Sequence, residues 1–216
     1  MTDLRAASPI PSSAQRRGTL LLADISGFSG FLQGVADAHI DLIVEADEPP
    51  PAYALVSHLL DTLVTAMAPT FRLAKVEGDA VFVVADDGDI DGPELLVRLR
   101  DWYRTFRETR ARVGELWTCT CTPCARLNHL DLKFIVHHGA YVAQPIAGHE
   151  EFLGASVNVA HRLLKNGARE LVGSSAYALV TDAAVTALDV PLDGFIASVE
   201  QVQGSPDVPV HVLALA

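Results

Sequence analysis

Two aspartates stand where hard-cation chemistry could be done. Asp24 lies within the apolar run Thr19-Leu20-Leu21-Leu22-Ala23-Asp24-Ile25, and Asp79 lies in the turn Glu77-Gly78-Asp79 between two further apolar runs. Carboxylates converging at a sheet edge suit Mg²⁺ or Mn²⁺, which take a few oxygen ligands from protein and the rest from phosphate. Taken alone, each aspartate also reads as an ordinary turn residue. Gly27, Phe28 and Ser29 follow Asp24 closely. A helix starting there offers free backbone N–H groups to a phosphate, or is simply capped by Ser26. Asn158 and Arg162 have i, i+4 spacing and share a helical face. That pair could orient a ribose and neutralise developing phosphate charge, or form a solvated surface. A third group is Cys119-Thr120-Cys121-Thr122-Pro123-Cys124, with His129 shortly after it. Three thiolates and an imidazole complete a tetrahedral Zn²⁺ site of structural type, because four protein ligands leave no open position. Loop thiols in a reducing compartment, or a redox pair, are the other reading. His137 and His138 close a strand-like run and read as structural.

These residues need elements to position them. The apolar run at Thr19–Ile25 suits a strand buried on both faces. Phe71–Lys75 and Ala80–Ala85, joined by the acidic glycine turn, predict a hairpin. Leu55, Leu59, Leu60, Leu63 and Met67 predict a helix closed by Pro69, and Leu95 to Phe106 predict another. Glu45–Pro51 and Asp86–Gly92 read as acidic loops. Leu130–His137 and Ala140–Ile146 read as paired strands with Gly139 at the turn. Gly154–Lys165 reads as a helix, Ser175–Val180 as a short helix, and Val208–Leu215 as a final strand. The sum is an α+β chain, a sheet with helices on one side. Residues 1–17 read as a flexible tail, 18–216 as a single domain, and 117–129 as a cysteine-rich insert.

Composition sets the class of partner. The 216 residues are 50% hydrophobic and 20% charged, which belongs to a folded chain with a sizeable core. Sixteen Lys plus Arg against 27 Asp plus Glu leave a net charge of −11. Nucleic acid and anionic membranes repel such a surface, so neither is expected as a partner; a nucleotide needs only a local positive site. No stretch approaches the ~20 apolar residues of a membrane span. The proline- and serine-bearing N-terminus lacks a secretory pattern, and three cysteines suit a reducing compartment, so a cytoplasmic location is expected.

Leu22-Ala23-Asp24-Ile25-Ser26-Gly27-Phe28-Ser29, Lys75-Val76-Glu77-Gly78-Asp79-Ala80, His138-Gly139 and Gly154-Ala155-Ser156-Val157-Asn158-Val159-Ala160-His161-Arg162-Leu163 occur in that order. Together they resemble the blocks of class III adenylate/guanylate cyclase catalytic domains, and in particular bacterial cyclase-like proteins with a cysteine cluster. The resemblance runs from Thr19 to about Leu164. It implies a ferredoxin-like nucleotidyl cyclase fold, with a central, mainly antiparallel sheet and helices packed on it. It implies conversion of ATP to 3′,5′-cyclic AMP and pyrophosphate by two Mg²⁺ or Mn²⁺ ions at a homodimer interface. Asp24 and Asp79 match the metal-binding aspartates, with the Ile25 carbonyl as an extra ligand. Gly27, Phe28 and Ser29 match the triphosphate turn. Lys75 matches the base-selecting lysine of adenylate cyclases, and Glu151 falls where an adenine-reading acceptor stands. Asn158 and Arg162 match the ribose-orienting and transition-state-stabilising pair. Lys75 and Glu151 are expected with the aspartates on one chain, facing Asn158 and Arg162 of the other. One departure stands out: Val202-Gln203-Gly204-Ser205-Pro206-Asp207 has no Lys or Arg where such cyclases carry a phosphate-binding lysine. Losing that charge costs on the order of 2.7–4 kcal/mol of transition-state stabilisation. Two other readings follow: a catalytically weak or inactive nucleotide-binding regulatory module, and a structural zinc protein with drifted motifs.

Overall fold

The run at Thr19–Ile25 is apolar at successive positions because both faces of its strand are covered. The computed structural model describes residues 14–45, 49–50, 52–204 and 206–216. Most of the expected tail, and much of the acidic loop expected over Glu45–Pro51, lie outside the described residues. Strand β1 covers Gln15–Ser26, so Gln15, Arg16 and Arg17 belong to the sheet, where they pair with Val142, Tyr141 and Ala140. Helices α1 (Phe28–Ala38), α2 (Ile40–Glu45) and α3 (Ala52–Met67) follow. Strands β2 (Arg72–Glu77) and β3 (Ala80–Asp86) form the expected hairpin, and the long helix α4 (Gly92–Leu116) comes next. The cysteine insert is more ordered than its sequence suggests. It holds the short helix α5 (Thr122–Ala125) and a 3₁₀ turn, Arg126–His129.

The pair of strands expected about Gly139 is one strand, β4 (Asp131–Ile146). Gly139 lies inside it opposite Gly18, and a Cβ there would collide with the Ser156 side chain. The glycine marks a close approach by a helix, not a turn. The hairpin partner of β4 is β5 (His149–Leu153), reached through Ala147 and Gly148, both at positive φ. Helices α6 (Ala155–Arg162) and α7 (Ala168–Val172) come next. The helix expected at Ser175–Val180 is instead a fully buried strand, β6 (Tyr177–Thr181). Short apolar runs carry too little periodicity to separate these two states. Helix α8 (Asp182–Leu188), strand β7 (Ile196–Glu200), absent from the sequence reading, and strand β8 (Val208–Ala214) complete the chain.

The sheet order is β2-β3-β1-β4-β6-β8-β7, with β5 hydrogen-bonded to β4 off that path. Every ladder is antiparallel except β4–β6. The result is the expected mainly antiparallel α+β architecture. Helices cover both faces, not one. Leu21, Ala23 and Ile25 pack with Val81 and Val83 under α1, α3, α4 and α8. Leu20, Leu22, Phe82 and Val84 face the other way, under α6 and α7. Period-two alternation along β1 feeds both cores, and Asp24 falls in register with the second. Among the described residues, no helix is long and apolar enough to cross a membrane.

Candidate functional site

The two aspartates meet where β1 ends. Asp24 pairs with Ala80 across β3 and with Lys133 across β4, which puts the turn residue Asp79 beside it. The Ile25 N–H donates to the Asp79 carbonyl at 3.4 Å, tying turn to strand. Lys133 Nζ lies 2.7 Å from Asp24 Oδ2, with both side chains largely buried, and also donates to the Leu164 carbonyl at 3.1 Å. Burial first, and the Asp24 charge second, push the Asp79 carboxyl up to about 6; Lys133 and a backbone hydrogen bond act against that rise. Two acids against one ammonium leave one negative charge uncompensated in a half-buried site. A divalent cation relieves that repulsion with oxygen ligands of the right hardness, so these residues fit Mg²⁺ or Mn²⁺.

Beside the pair, Gly27 takes φ 88° and starts α1 without any side-chain cap. The Ser26 hydroxyl does not cap the helix; it donates to the Ser175 carbonyl at 3.1 Å. The first-turn N–H groups at Phe28 and Ser29 are therefore left for an anion.

A second group surrounds a cavity of about 230 Å³. Lys75, Glu77, Glu151, Asn158 and His161 line it, over an apolar floor that includes Phe82 and Phe152. Lys75 Nζ lies 3.1 Å from Glu77 and 4.0 Å from Glu151, and these carboxylates raise its pKa. His161 stacks edge-on to Phe82 at 4.9 Å; burial lowers its pKa. The backbone explains the assembly. A bulge between Leu73 and Lys75 turns β2, and the β4–β5 hairpin swings Glu151 across to it. Helix α6 begins directly after β5 and returns Asn158 over the same cavity. Arg162 lies one turn on, in an adjoining groove that shares His161, where its guanidinium donates to the Gln203 carbonyl.

Within one chain Asn158 lines the same cavity as Lys75 and Glu151, which were expected to face it across a dimer interface, and neither aspartate lines that cavity. Sequence reasoning also missed Lys133. Its signal was a lone lysine in an apolar strand, Leu132-Lys133-Phe134, where a buried cation needs an acid.

The cysteines do converge, but not on His129. His39, Cys119, Cys121 and Cys124 place their donor atoms within 4.8 Å of one another, a cluster that could hold a metal ion. His129 sits elsewhere: its carbonyl is 3.9 Å from the position of a Cβ on Gly27, at the start of α1, whereas His39 follows the end of that helix. His137 Nδ1 is 2.9 Å from Thr181 Oγ1 and His138 Nε2 is 2.7 Å from Asp87 Oδ1, as suits structural roles.

Known proteins resemble the chain at two levels. A family model described as "Protein of unknown function (DUF2652)" matches residues 56–171, more than half of the chain. The uncharacterized protein Rv2561/Rv2562 of Mycobacterium tuberculosis is 32% identical over 136 residues, 62% of this chain and 60% of that protein. The match thus spans less than two thirds of that relative. Among solved structures, the adenylyl cyclase CyaB from P. aeruginosa superposes with a TM-score of 0.66 at 14% identity, covering 94% of this chain and 96% of that one. The guanylyl cyclase Cya2 superposes with a TM-score of 0.64 at 17% identity, covering 94% and 99%. At these identities the likeness shows the fold, which is that of nucleotidyl cyclase domains.

Proposed function

From its membership of the DUF2652 family and its cyclase fold, we propose that the chain is a nucleotidyl cyclase-like protein that forms cyclic AMP from ATP at a homodimer interface. The observation that carries the reading is the charge-frustrated pair Asp24 and Asp79 beside an uncapped helix start. Asp24 and Asp79, with the Ile25 carbonyl, hold divalent ions. Such ions supply positive charge to the α-phosphate and acidify the ribose 3′-hydroxyl. The N–H groups at Gly27, Phe28 and Ser29 hold phosphate oxygens. Lys75 and Glu151 read the base, donor and acceptor on one edge. Asn158 orients the ribose, and Arg162 stabilises charge on the phosphate as the 3′-oxygen attacks and pyrophosphate leaves.

The size of the cavity supports dimerisation. Ligand pockets commonly run about 300–1,000 Å³. The cavity of about 230 Å³ takes the base end of a nucleotide and leaves the phosphates for another surface. We place Lys75, Glu151, Asn158 and Arg162 of one protomer opposite Asp24, Asp79 and the α1 turn of its partner. Lys133 supplies a cation at the phosphate end, where residues 202–207 supply none.

A second reading rests on one contact: Arg162 is engaged by the Gln203 carbonyl. A domain held so would bind nucleotide as a regulatory module without turnover. Cyclic-nucleotide production from ATP and GTP with Mn²⁺, for wild type beside Asp79→Ala, decides. Product from wild type alone supports the cyclase. No product, with retained Mn²⁺-nucleotide binding, transfers the proposal to the module.

A further inference from the structure

The short spacing of the cysteines made His129 the natural fourth ligand; the fold supplies a different one. His39 caps the C-terminus of α1, and its Nδ1 lies 2.9 Å from the Val35 carbonyl. That contact sets the tautomer: Nδ1 carries the proton, and Nε2 points its lone pair at the sulfurs. Metal-binding histidines are held this way by a carbonyl on the other ring nitrogen. Nε2 lies 3.4 Å from Cys119 Sγ, 3.9 Å from Cys121 Sγ and 4.0 Å from Cys124 Sγ. Tetrahedral zinc, with bonds of about 2.3 Å to sulfur and about 2.0–2.1 Å to nitrogen, separates its donor atoms by roughly 3.5–3.8 Å. One acceptor lone pair has no use for three thiols at that range, whereas one ion uses all four atoms.

We propose that His39, Cys119, Cys121 and Cys124 form a closed structural Zn²⁺ site that clamps the end of α1 to the cysteine insert. The donor set is soft, so the ion is thiophilic and distinct from the Mg²⁺ or Mn²⁺ of the aspartates. With four protein ligands it keeps no open position for water or substrate. The surrounding fold is built to the same end. Cys121 caps α5 and accepts from the Cys124 N–H at 3.4 Å, which sets the turn that brings two sulfurs together. Cys124 is buried, and Pro123 seats against Gly34 of α1, where a Cβ would meet the proline ring at 3.2 Å. The insert thus docks on the last turns of α1, the helix whose first turn is the candidate phosphate cradle. The site stands on its own geometry and does not depend on the cyclase reading.

The test is elemental analysis of the full chain purified under reducing conditions without a metal-affinity tag, followed by Co²⁺ exchange. About one zinc per chain is expected. The Co²⁺ form should show thiolate-to-metal charge transfer and tetrahedral d–d bands. His39→Ala and Cys121→Ser should lose the ion, His39→Cys should retain it with an added thiolate band, and His129→Ala should retain it unchanged. The His39→Cys variant keeps the test valid should the other two misfold. Metal-free wild type with three freely titrating thiols overturns the site. So does an iron–sulfur chromophore, or zinc lost in His129→Ala and kept in His39→Ala.

Discussion

The two candidate ion sites of this chain are built on opposite plans. At the aspartates, two oxygen-bearing side chains converge, an ammonium already occupies part of the space, and the rest of a coordination sphere must come from outside. At the cysteines, four donors converge within 4.8 Å and the histidine is held by a carbonyl behind it. The first has room for ligands from outside; the second brings four donors together by itself. Incompleteness is what a site needs if its ion must exchange and meet phosphate. Closure is what a site needs if its ion is to hold two segments together. Helix α1 runs between them, one site beside its first turn and the other at its last.

The strongest way to break the comparison is to remove ligands from the open site only. Asp79→Ala should lower cyclic-nucleotide production at least about 10³-fold while zinc content stays unchanged. Loss of both together would mean that the sites are one structural unit. Mixing Asp79→Ala protein with Asn158→Ala protein adds a sharper arm. If each site is shared between protomers, random pairing leaves one working site in half of the dimers, and about a quarter of wild-type activity returns. If both residues serve the same chain's site, mixing returns nothing.

The next effect concerns the closed site. Stripping its ion should cost about 4 kcal/mol for an ion present at about 1,000 times its dissociation constant. For a chain of this size that is a fall in Tm of roughly 8–16 °C. Removal of Mg²⁺ or Mn²⁺ should leave Tm nearly unchanged and abolish turnover reversibly. Calorimetry with and without each ion checks both halves.

Acid weakens the protein through a third region, which must be separated from the two sites. His137 is buried on β4 with its Nδ1 2.9 Å from Thr181 Oγ1, and burial lowers its pKa to about 4. Above pH 6.5 it is neutral folded or unfolded and contributes no pH dependence. As pH falls through 6.5 the unfolded chain takes up the proton first, so stability drops, by roughly 3 kcal/mol once pH reaches 4. Denaturant titrations of metal-loaded protein across that range should show the loss, and His137→Gln should flatten it. An equal slope in the variant would assign the acid loss to the ion sites.

Legibility in the sequence follows the range over which each feature is specified. β1, the β2–β3 hairpin, α3 and α4 announce themselves through local patterns, and the order of motif blocks carries the cyclase architecture. Gly139 misleads because a glycine needed for close packing against Ser156 looks the same as one needed for a turn. β6 misleads because a central strand is apolar throughout and has no period to read. Among the candidate site residues, Lys75, Glu151 and Asn158 come together around one cavity, a neighbourhood that their sequence separation does not announce. Lys133 signals only that it needs an acid, and His39 gives no signal at all: each meets its partners through pairing or packing between segments remote in sequence, and spacing rules describe neighbours.

The finest distinction lies in the cavity around Lys75, which none of the candidate ion ligands lines. Lys75 stands 3.1 Å from Glu77 and 4.0 Å from Glu151, with about half of its side chain exposed, and three N–H donors facing two carboxylates leave one for a base. A lysine there donates and favours an acceptor edge such as adenine presents. Lys75→Glu reverses that preference and adds a third carboxylate, which favours the donor edge of guanine. Losing one charged hydrogen bond in a half-open cavity corresponds to about a tenfold change in the ratio of ATP to GTP turnover. The Mn²⁺ dependence and zinc content should not move, because neither ion touches Lys75. An unchanged nucleotide ratio would remove Lys75 from base reading.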